Sequence, residues 1–188
     1  MDKQYEVIMA GFGGQGVMSM GQLLAYAGML EGLQVTWMPS YGPEQRGGTA
    51  NCTVILSPRT IGSPVVERPA AVVAMNLPSL DKFEDRVREE GLLVVNATLA
   101  GRSVRRTDVR ALSIPATAIA EEIGNDRVAN MVALGALLEI TRLVRPDSVV
   151  ESLTKALPPH RHNLIPLNQD ALRRGMELAR HGARRPAC

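Results

Sequence analysis

YEVIMAGFGGQG, residues 5–16, is a short apolar run that passes directly into a glycine turn. Gly11, Gly13 and Gly16 fit the G-x-G-x-x-G spacing. Glycines so placed allow a tight turn and a close backbone approach to a phosphate, and the helix that follows offers free N–H groups to an anion. Val17, Met20, Leu24 and Ala27 then recur three and four residues apart, which predicts an amphipathic helix stopped by Gly32. Strand, glycine turn and helix together form the opening unit of a doubly wound α/β domain.

Working outward, strand signals recur at 34–38, 50–56, 70–74 and 92–96, with a weaker one at 111–114. Several are unbroken apolar runs, such as AAVVAM and LLVVN, the pattern of strands buried on both faces of a mainly parallel sheet. A charged helix is predicted over 77–90, with Asp81, Glu84 and Asp85 spaced along its solvent face and Gly91 at its end. Beyond Pro115 the pattern becomes helical. Helices are predicted over 117–123, 128–144, 148–157 and 169–181, with Gly124 ending the first, Asn125 or Asp126 capping the second and Asn168 capping the last. The expected fold is a single α/β domain over 1–188, a Rossmann-like sheet followed by a helical C-terminal section.

Composition narrows the function classes. Net charge is +2, but six arginines from His160 onward face only Asp170 and Glu177, so the tail is basic and the rest slightly acidic. Aromatic residues are 3% of the chain, which leaves few stacking platforms for nucleic acid, and the basic tail is expected to be a solvated helix end or a partner rim. No apolar stretch approaches the roughly 20 residues needed to cross a bilayer. The Met1–Gln4 start, leading into a strand, has no secretory pattern, and the expected location is the cytoplasm. Cys52 and Cys188 are too few and too far apart for an iron–sulfur cluster or structural zinc. His160 and His162 lack an obvious third ligand, so no metal site is expected.

The glycine turn alone suggests a nicotinamide dehydrogenase, and its confirming partner is missing. Such folds place Asp or Glu at the end of the second strand to hold the adenosine ribose. Here that strand ends in Met38-Pro39-Ser40-Tyr41, and Glu31 precedes the strand, at its wrong end. There is also no G-x-S-x-G elbow and no Walker lysine. A phosphate-friendly loop without catalytic machinery suits a binding or scaffolding subunit, with an independent NAD(P)-dependent oxidoreductase as the alternative.

A second loop, SYGPEQRGGTANC at residues 40–52, supplies a more specific companion. Gly42-Pro43 turns the chain, Gly47-Gly48 permits positive φ or close approach, and Arg46 can grip a carboxylate or phosphate in bidentate fashion or pair structurally with Glu44. The candidate site is therefore Gly11, Gly13, Gly14, Gln15 and Gly16 together with Arg46, Gly47 and Gly48, as a phosphate or subunit-contact surface. In an α/β sheet both loops are expected at the C-terminal edge, where such folds bind ligands. A third feature is the helix beginning VANMVALGALL at 128–138, where Asn130 is the lone strongly polar residue. A helix apolar all round must be buried all round, either centrally in this domain or with one face under another chain.

Over nearly its whole length the chain resembles the gamma subunit, or gamma domain, of the 2-oxoacid:ferredoxin oxidoreductases. The resemblance rests on GFGGQGV at 11–17, SYGPEQRGGTANCTVILS at 40–57, VAMNLPSLDKF at 73–83, LLVVNATL at 92–99, IPATAIAEEIGNDRVANMVALGALLE at 114–139 and the late spacing of Asn168, Ala171, Leu172 and Gly175. It implies a subunit of an enzyme that oxidatively decarboxylates a 2-oxoacid, joins the acyl group to coenzyme A and reduces ferredoxin. Thiamine diphosphate with Mg2+ and [4Fe-4S] clusters would belong to alpha and beta partners and a ferredoxin-like delta subunit, with no catalytic residue on this chain. The glycine loop and Arg46 would then face coenzyme A or a partner loop, and the helix at 128–144 would have a partner surface. Segment 114–139 is most similar to the 2-oxoglutarate branch, with the indolepyruvate branch the nearest rival.

Overall fold

The computed structural model describes residues 3–41 and 48–182. Strands β1 (Tyr5–Phe12), β2 (Gln34–Tyr41), β3 (Thr49–Ser57), β4 (Ala71–Ala74), β5 (Leu92–Asn96) and β6 (Arg110–Ile114) form one sheet in the order β2-β3-β1-β4-β5-β6. Each of the six sequence runs becomes a strand. β1, β4, β5 and β6 are mutually parallel; β4 and β5 are buried on both faces, as the apolar runs suggest, whereas β6 at the sheet's edge is largely exposed. β3 departs from this pattern, since it lies antiparallel to both β1 and β2. Only residues 42–48 separate β2 from β3, and a parallel crossover needs a dozen or more, so the pair closes as a hairpin. Pro39 sits within β2, the sheet's outer strand, where a missing N–H is tolerated and further strand addition is discouraged.

Helix α1 (Val17–Leu30) crosses from β1 to β2 and packs with the Val7 and Met9 face of the sheet. α2 (Leu77–Phe83), which follows β4, covers the opposite face at Ile8, Ala10, Val72 and Leu93 through Leu80 and Phe83. Winding thus reverses between β1 and β4, which makes the C-terminal ends of those two strands the switch point of the sheet. After the one-turn helix α3 (Ala97–Ala100) and β6, the chain returns to the first face as α4 (Ala116–Ile123), α5 (Ala129–Thr141), α6 (Pro146–Ala156) and α7 (Ile165–Gly182).

Three expectations are corrected. The helix predicted over 77–90 ends at Phe83 and gives way to a 3-10 turn, Glu84–Arg86. Its cause is Glu84, which is 3% exposed and turned inward rather than lining a solvent face. The carboxylate accepts the backbone N–H groups of Arg105 and Arg106 and a guanidinium N–H of Arg102 at 2.7 Å. Burial alone would raise its pKa, but these donors outweigh it and hold the group below the usual carboxylate range. Second, α7 begins at Ile165, so Asn168 lies inside the helix and donates to the Leu164 carbonyl at 2.8 Å instead of capping.

The third correction concerns the apolar helix. A 3-10 turn, Asp126–Val128, capped by Asn125 accepting from the Arg127 N–H at 3.1 Å, leads into α5, which stops at Thr141. Residues 129–138 are all buried within this one chain, so no partner surface is offered there. The cover is α7. A Cβ on Gly135 would overlap the carbonyl of Leu172, and one on Gly175 would overlap that of Val132. Two glycines, each pressed on the other helix's backbone, bring α5 and α7 closer than any side chain permits.

Candidate functional site

The glycine turn leaves β1 at the switch point. Gly13 N–H donates to the carbonyl of Gly48 at 3.0 Å, which ties the turn to the start of β3. The Gln15 side chain folds back over the turn, and its Oε1 accepts the Phe12 N–H at 2.7 Å and the Asn76 amide at 2.8 Å. That fold-back needs Gly11, because a Cβ there would come 2.8 Å from Gln15 Oε1 and 2.7 Å from Val17. Gly14 has φ +100° and nothing within 4 Å of where its Cβ would stand, so the crest of the turn faces open space. Gly16, with φ +70°, opens α1, and no side chain caps that helix and no acid lies in its first turn. The first N–H groups are therefore available to an anion.

Behind the turn, an amide ladder runs along the strand ends. Asn76, at the end of β4, caps α2 by accepting the Ser79 N–H at 2.9 Å while donating to Gln15. Asn96, at the end of β5, donates to the Met75 carbonyl at 3.2 Å and to Thr117 Oγ1 at 2.8 Å, and accepts the Thr117 N–H at 3.2 Å. Both asparagines are buried, so these bonds satisfy groups that would otherwise be costly. The ladder holds the C-terminal ends of β1, β4 and β5 and the start of α4 in fixed relation. Beside it lies a cleft of about 150 Å³, walled by Gly14, Gln15 and Thr117, the exposed Asp126 and Arg127, and apolar Met75 and Leu99.

Of the sequence candidates, the structure brings Gly11, Gly13, Gly14, Gln15, Gly16 and Gly48 together at one sheet edge. Arg46 and Gly47 lie outside the described residues, and both flanks of that segment, Tyr41 and Gly48, reach the same edge. The structure adds Asn76, Asn96, Thr117, Arg127 and Asn130 to these candidates. Asn76 and Asn96 carry a local signal, an Asn closing the apolar runs VAMN and LLVVN, which puts an amide at the C-terminal ends of β4 and β5.

The strand order also bears on the dinucleotide reading. β3 stands between β1 and β2, so the end of β2 is two strand spacings, about 10 Å, from the glycine turn. Glu31 lies at the far edge, where it accepts the Arg145 N–H at 2.6 Å. Burial pushes the Cys52 thiol up to about 12, which leaves it an inert core group. His162 Nε2 lies 3.0 Å from the Leu157 carbonyl, within a 3-10 turn, Pro159–Leu164. Among the described residues no three His, Cys, Asp or Glu side chains gather as a metal centre, and no helix is long and apolar enough to cross a membrane.

Comparison with known proteins covers almost the same span. A family model described as pyruvate ferredoxin/flavodoxin oxidoreductase matches residues 6–178. A ketoisovalerate oxidoreductase subunit VorA from Methanothermobacter thermautotrophicus is 41% identical over 94% of this chain, which spans only 37% of that relative's length. A 2-oxoglutarate synthase subunit KorC of the same organism is 36% identical, with 95% of this chain and 97% of the relative covered. Among solved structures, the gamma subunit of a keto/oxoacid ferredoxin oxidoreductase from Geobacter sulfurreducens has a TM-score of 0.81 at 28% identity, covering 94% of this chain and 99% of that one. A 2-oxoglutarate:ferredoxin oxidoreductase from Magnetococcus marinus, with 2-oxoglutarate, coenzyme A and succinyl-CoA bound, has a TM-score of 0.88 at 25% identity, over 96% of this chain and 32% of that one.

Proposed function

The chain belongs to the pyruvate ferredoxin/flavodoxin oxidoreductase family, and from that premise we propose that it is the gamma subunit of a multi-subunit 2-oxoglutarate:ferredoxin oxidoreductase. The observation that carries this reading is its similarity to chains named KorC from two organisms, 36% and 34% identical over 95% and 93% of this chain. The proposed overall reaction cleaves the bond between the carboxyl and oxo carbons, releases CO2, joins the acyl group to the sulfur of coenzyme A and passes two electrons to ferredoxin. Thiamine diphosphate with Mg2+ and [4Fe-4S] clusters would supply the carbon and electron chemistry on alpha and beta subunits and a ferredoxin-like delta subunit. The expected location of the complex is the cytoplasm.

This chain's own contribution is to bind and orient. An open turn, an uncapped α1 and a neighbouring cleft of mixed polar and apolar lining fit a phosphate-bearing end of coenzyme A, with Arg46 as the expected cation. Co-purification tests the subunit assignment: the chain should bring down larger thiamine- and cluster-binding partners and show no turnover alone. Tight NAD(P) binding by the isolated protein would overturn it. For the turn, Arg46→Ala and Gly14→Asp should each raise the KM for coenzyme A in the assembled enzyme, and unchanged values in both remove the phosphate assignment.

A second reading of the substrate has its own support, since the VorA relative is more identical per residue than the KorC relatives. Assaying the assembled enzyme with 2-oxoglutarate and with the branched ketoisovalerate decides between them. A preference for the branched acid replaces the 2-oxoglutarate reading and leaves the family assignment in place.

A further inference from the structure

Asn130 is the lone strongly polar residue in the apolar opening of α5, and the amide ladder does not include it. It is buried, at 6% exposure, and its Nδ2 donates to the carbonyl of Gly16 at 3.1 Å. The same carbonyl accepts the Met20 N–H at 2.9 Å, the first hydrogen bond of α1. Asn130 Oδ1 is already engaged by the Met131 N–H at 2.9 Å, so its amide can present only its donor to the turn. The fit is close: a Cβ on Gly16 would come 2.5 Å from Asn130 Nδ2.

One consequence follows from peptide geometry. The Gly16 carbonyl and the Val17 N–H belong to a single planar trans peptide and point in opposite directions. Two donors fixing the carbonyl therefore also fix the Val17 N–H, which is aimed out of the helix start toward the mouth of the turn. Gly16 has no side chain to hinder rotation of this unit, and its φ of +70° belongs to a region that glycine leaves readily. We infer that Asn130 is a positioning residue, which locks the Gly16–Val17 peptide so that the first N–H groups of α1 face the ligand. It also joins the turn to α5 and the adjoining Asp126–Val128 turn, the opposite wall of the cleft.

This inference rests on the reading that the turn meets a phosphate of coenzyme A, and two measurements on the assembled oxidoreductase separate them. Asn130→Asp is nearly isosteric and keeps the acceptor for the Met131 N–H while deleting the donor. Asn130→Leu deletes it without adding charge. In both, amide hydrogen exchange in the peptide covering residues 12–20 should quicken about tenfold, the loss of roughly one hydrogen bond. The KM for coenzyme A should rise about tenfold, while kcat and the KM for the oxoacid stay within twofold. Unchanged exchange in both variants overturns the positioning role, whatever the kinetics. Faster exchange with an unchanged coenzyme A KM, in these variants and in Gly14→Asp, overturns the coenzyme A reading and leaves the hold of Asn130 on the turn standing.

Discussion

Gly175→Ala tests the tightest contact in the fold, and two opposed effects set the sign of its outcome. In the interior of a free helix, replacing glycine by alanine stabilises by about 1 kcal/mol, because the unfolded chain loses freedom it no longer has to surrender. In α7 the added methyl would lie 2.8 Å from the carbonyl carbon of Val132 and about 1 Å inside the 3.0 Å that Cβ atoms keep from its oxygen. The obstacle is backbone, not a side chain that can swing aside, so α5 and α7 must part by roughly that 1 Å. A gap of 0.5–1 Å forfeits about a quarter to a half of each dispersion contact across the interface, and overpacking of this kind costs about 3 kcal/mol. The net expectation is a loss of about 2 kcal/mol. With a urea m-value of about 2 kcal/mol/M, the midpoint should fall by about 1 M. Trp37 is the single tryptophan and lies on β2, away from the substitution, so its fluorescence reports unfolding of the domain as a whole. Gly62→Ala, where nothing stands within 4 Å, is the control and should stay within about 0.5 kcal/mol. Gly135→Ala should behave like Gly175→Ala. The double variant should lose less than the sum, because the first methyl already separates the helices. A midpoint that is unchanged or raised in Gly175→Ala would refute the close α5–α7 contact, since propensity would then be acting unopposed.

Three further outcomes are expected. Asn96→Ala should cost about 2 kcal/mol in urea unfolding, because it strands the part-buried Thr117 N–H and removes a donor from the Met75 carbonyl; a loss below 0.5 kcal/mol would mean that the amide ladder does not hold the strand ends. Glu84 has a folded-state pKa below its unfolded value near 4.3, so its contribution is complete above about pH 4.3 and is lost as pH falls through the folded value. Unfolding midpoints of Glu84→Gln should accordingly be lower than wild type at pH 7, with the two proteins converging as the pH falls below about 4.3; parallel curves would exclude the linkage. Cys52, whose thiol burial pushes to about 12, should resist an aromatic disulfide reagent at pH 8 in a Cys188→Ser background and react on unfolding in urea; rapid labelling of the native protein would contradict its burial.

Much of this architecture is legible in the sequence because the apolar runs are long and their breaks are glycines. All six strands and the switch-point turn follow from period and spacing alone. The antiparallel β3 was also within reach, because seven residues between β2 and β3 cannot carry a parallel crossover. Glu84 was hidden for a different reason. Its acid spacing matches a solvent face, and only the later loop, with the Arg105 and Arg106 N–H groups, makes an inward carboxylate tolerable. The mutual glycines of α5 and α7 stand 40 residues apart, and nothing local marks Gly135 as facing Gly175's helix rather than another chain. The site divides in the same way: the turn with Gln15 is a local pattern, whereas Asn76, Asn96 and Asn130 gain meaning only when separate elements meet.

The hairpin that interrupts the parallel sheet has a bearing on how such a site is built. Residues 42–47 stand in the sequence between Tyr41 and Gly48, and Tyr41 is directly paired with Ala50 at the end of an eight-rung ladder. The anchors of that segment are thus set by the sheet and not by what lies between them. Closing a loop twice as long on fixed anchors costs only about 0.6 kcal/mol. The fold itself therefore tolerates a longer segment there, and the demand for Arg46 comes from the ligand or partner it is proposed to meet. Fixed ends with the recognition chemistry between them separate what the sheet needs for stability from what the site needs for binding.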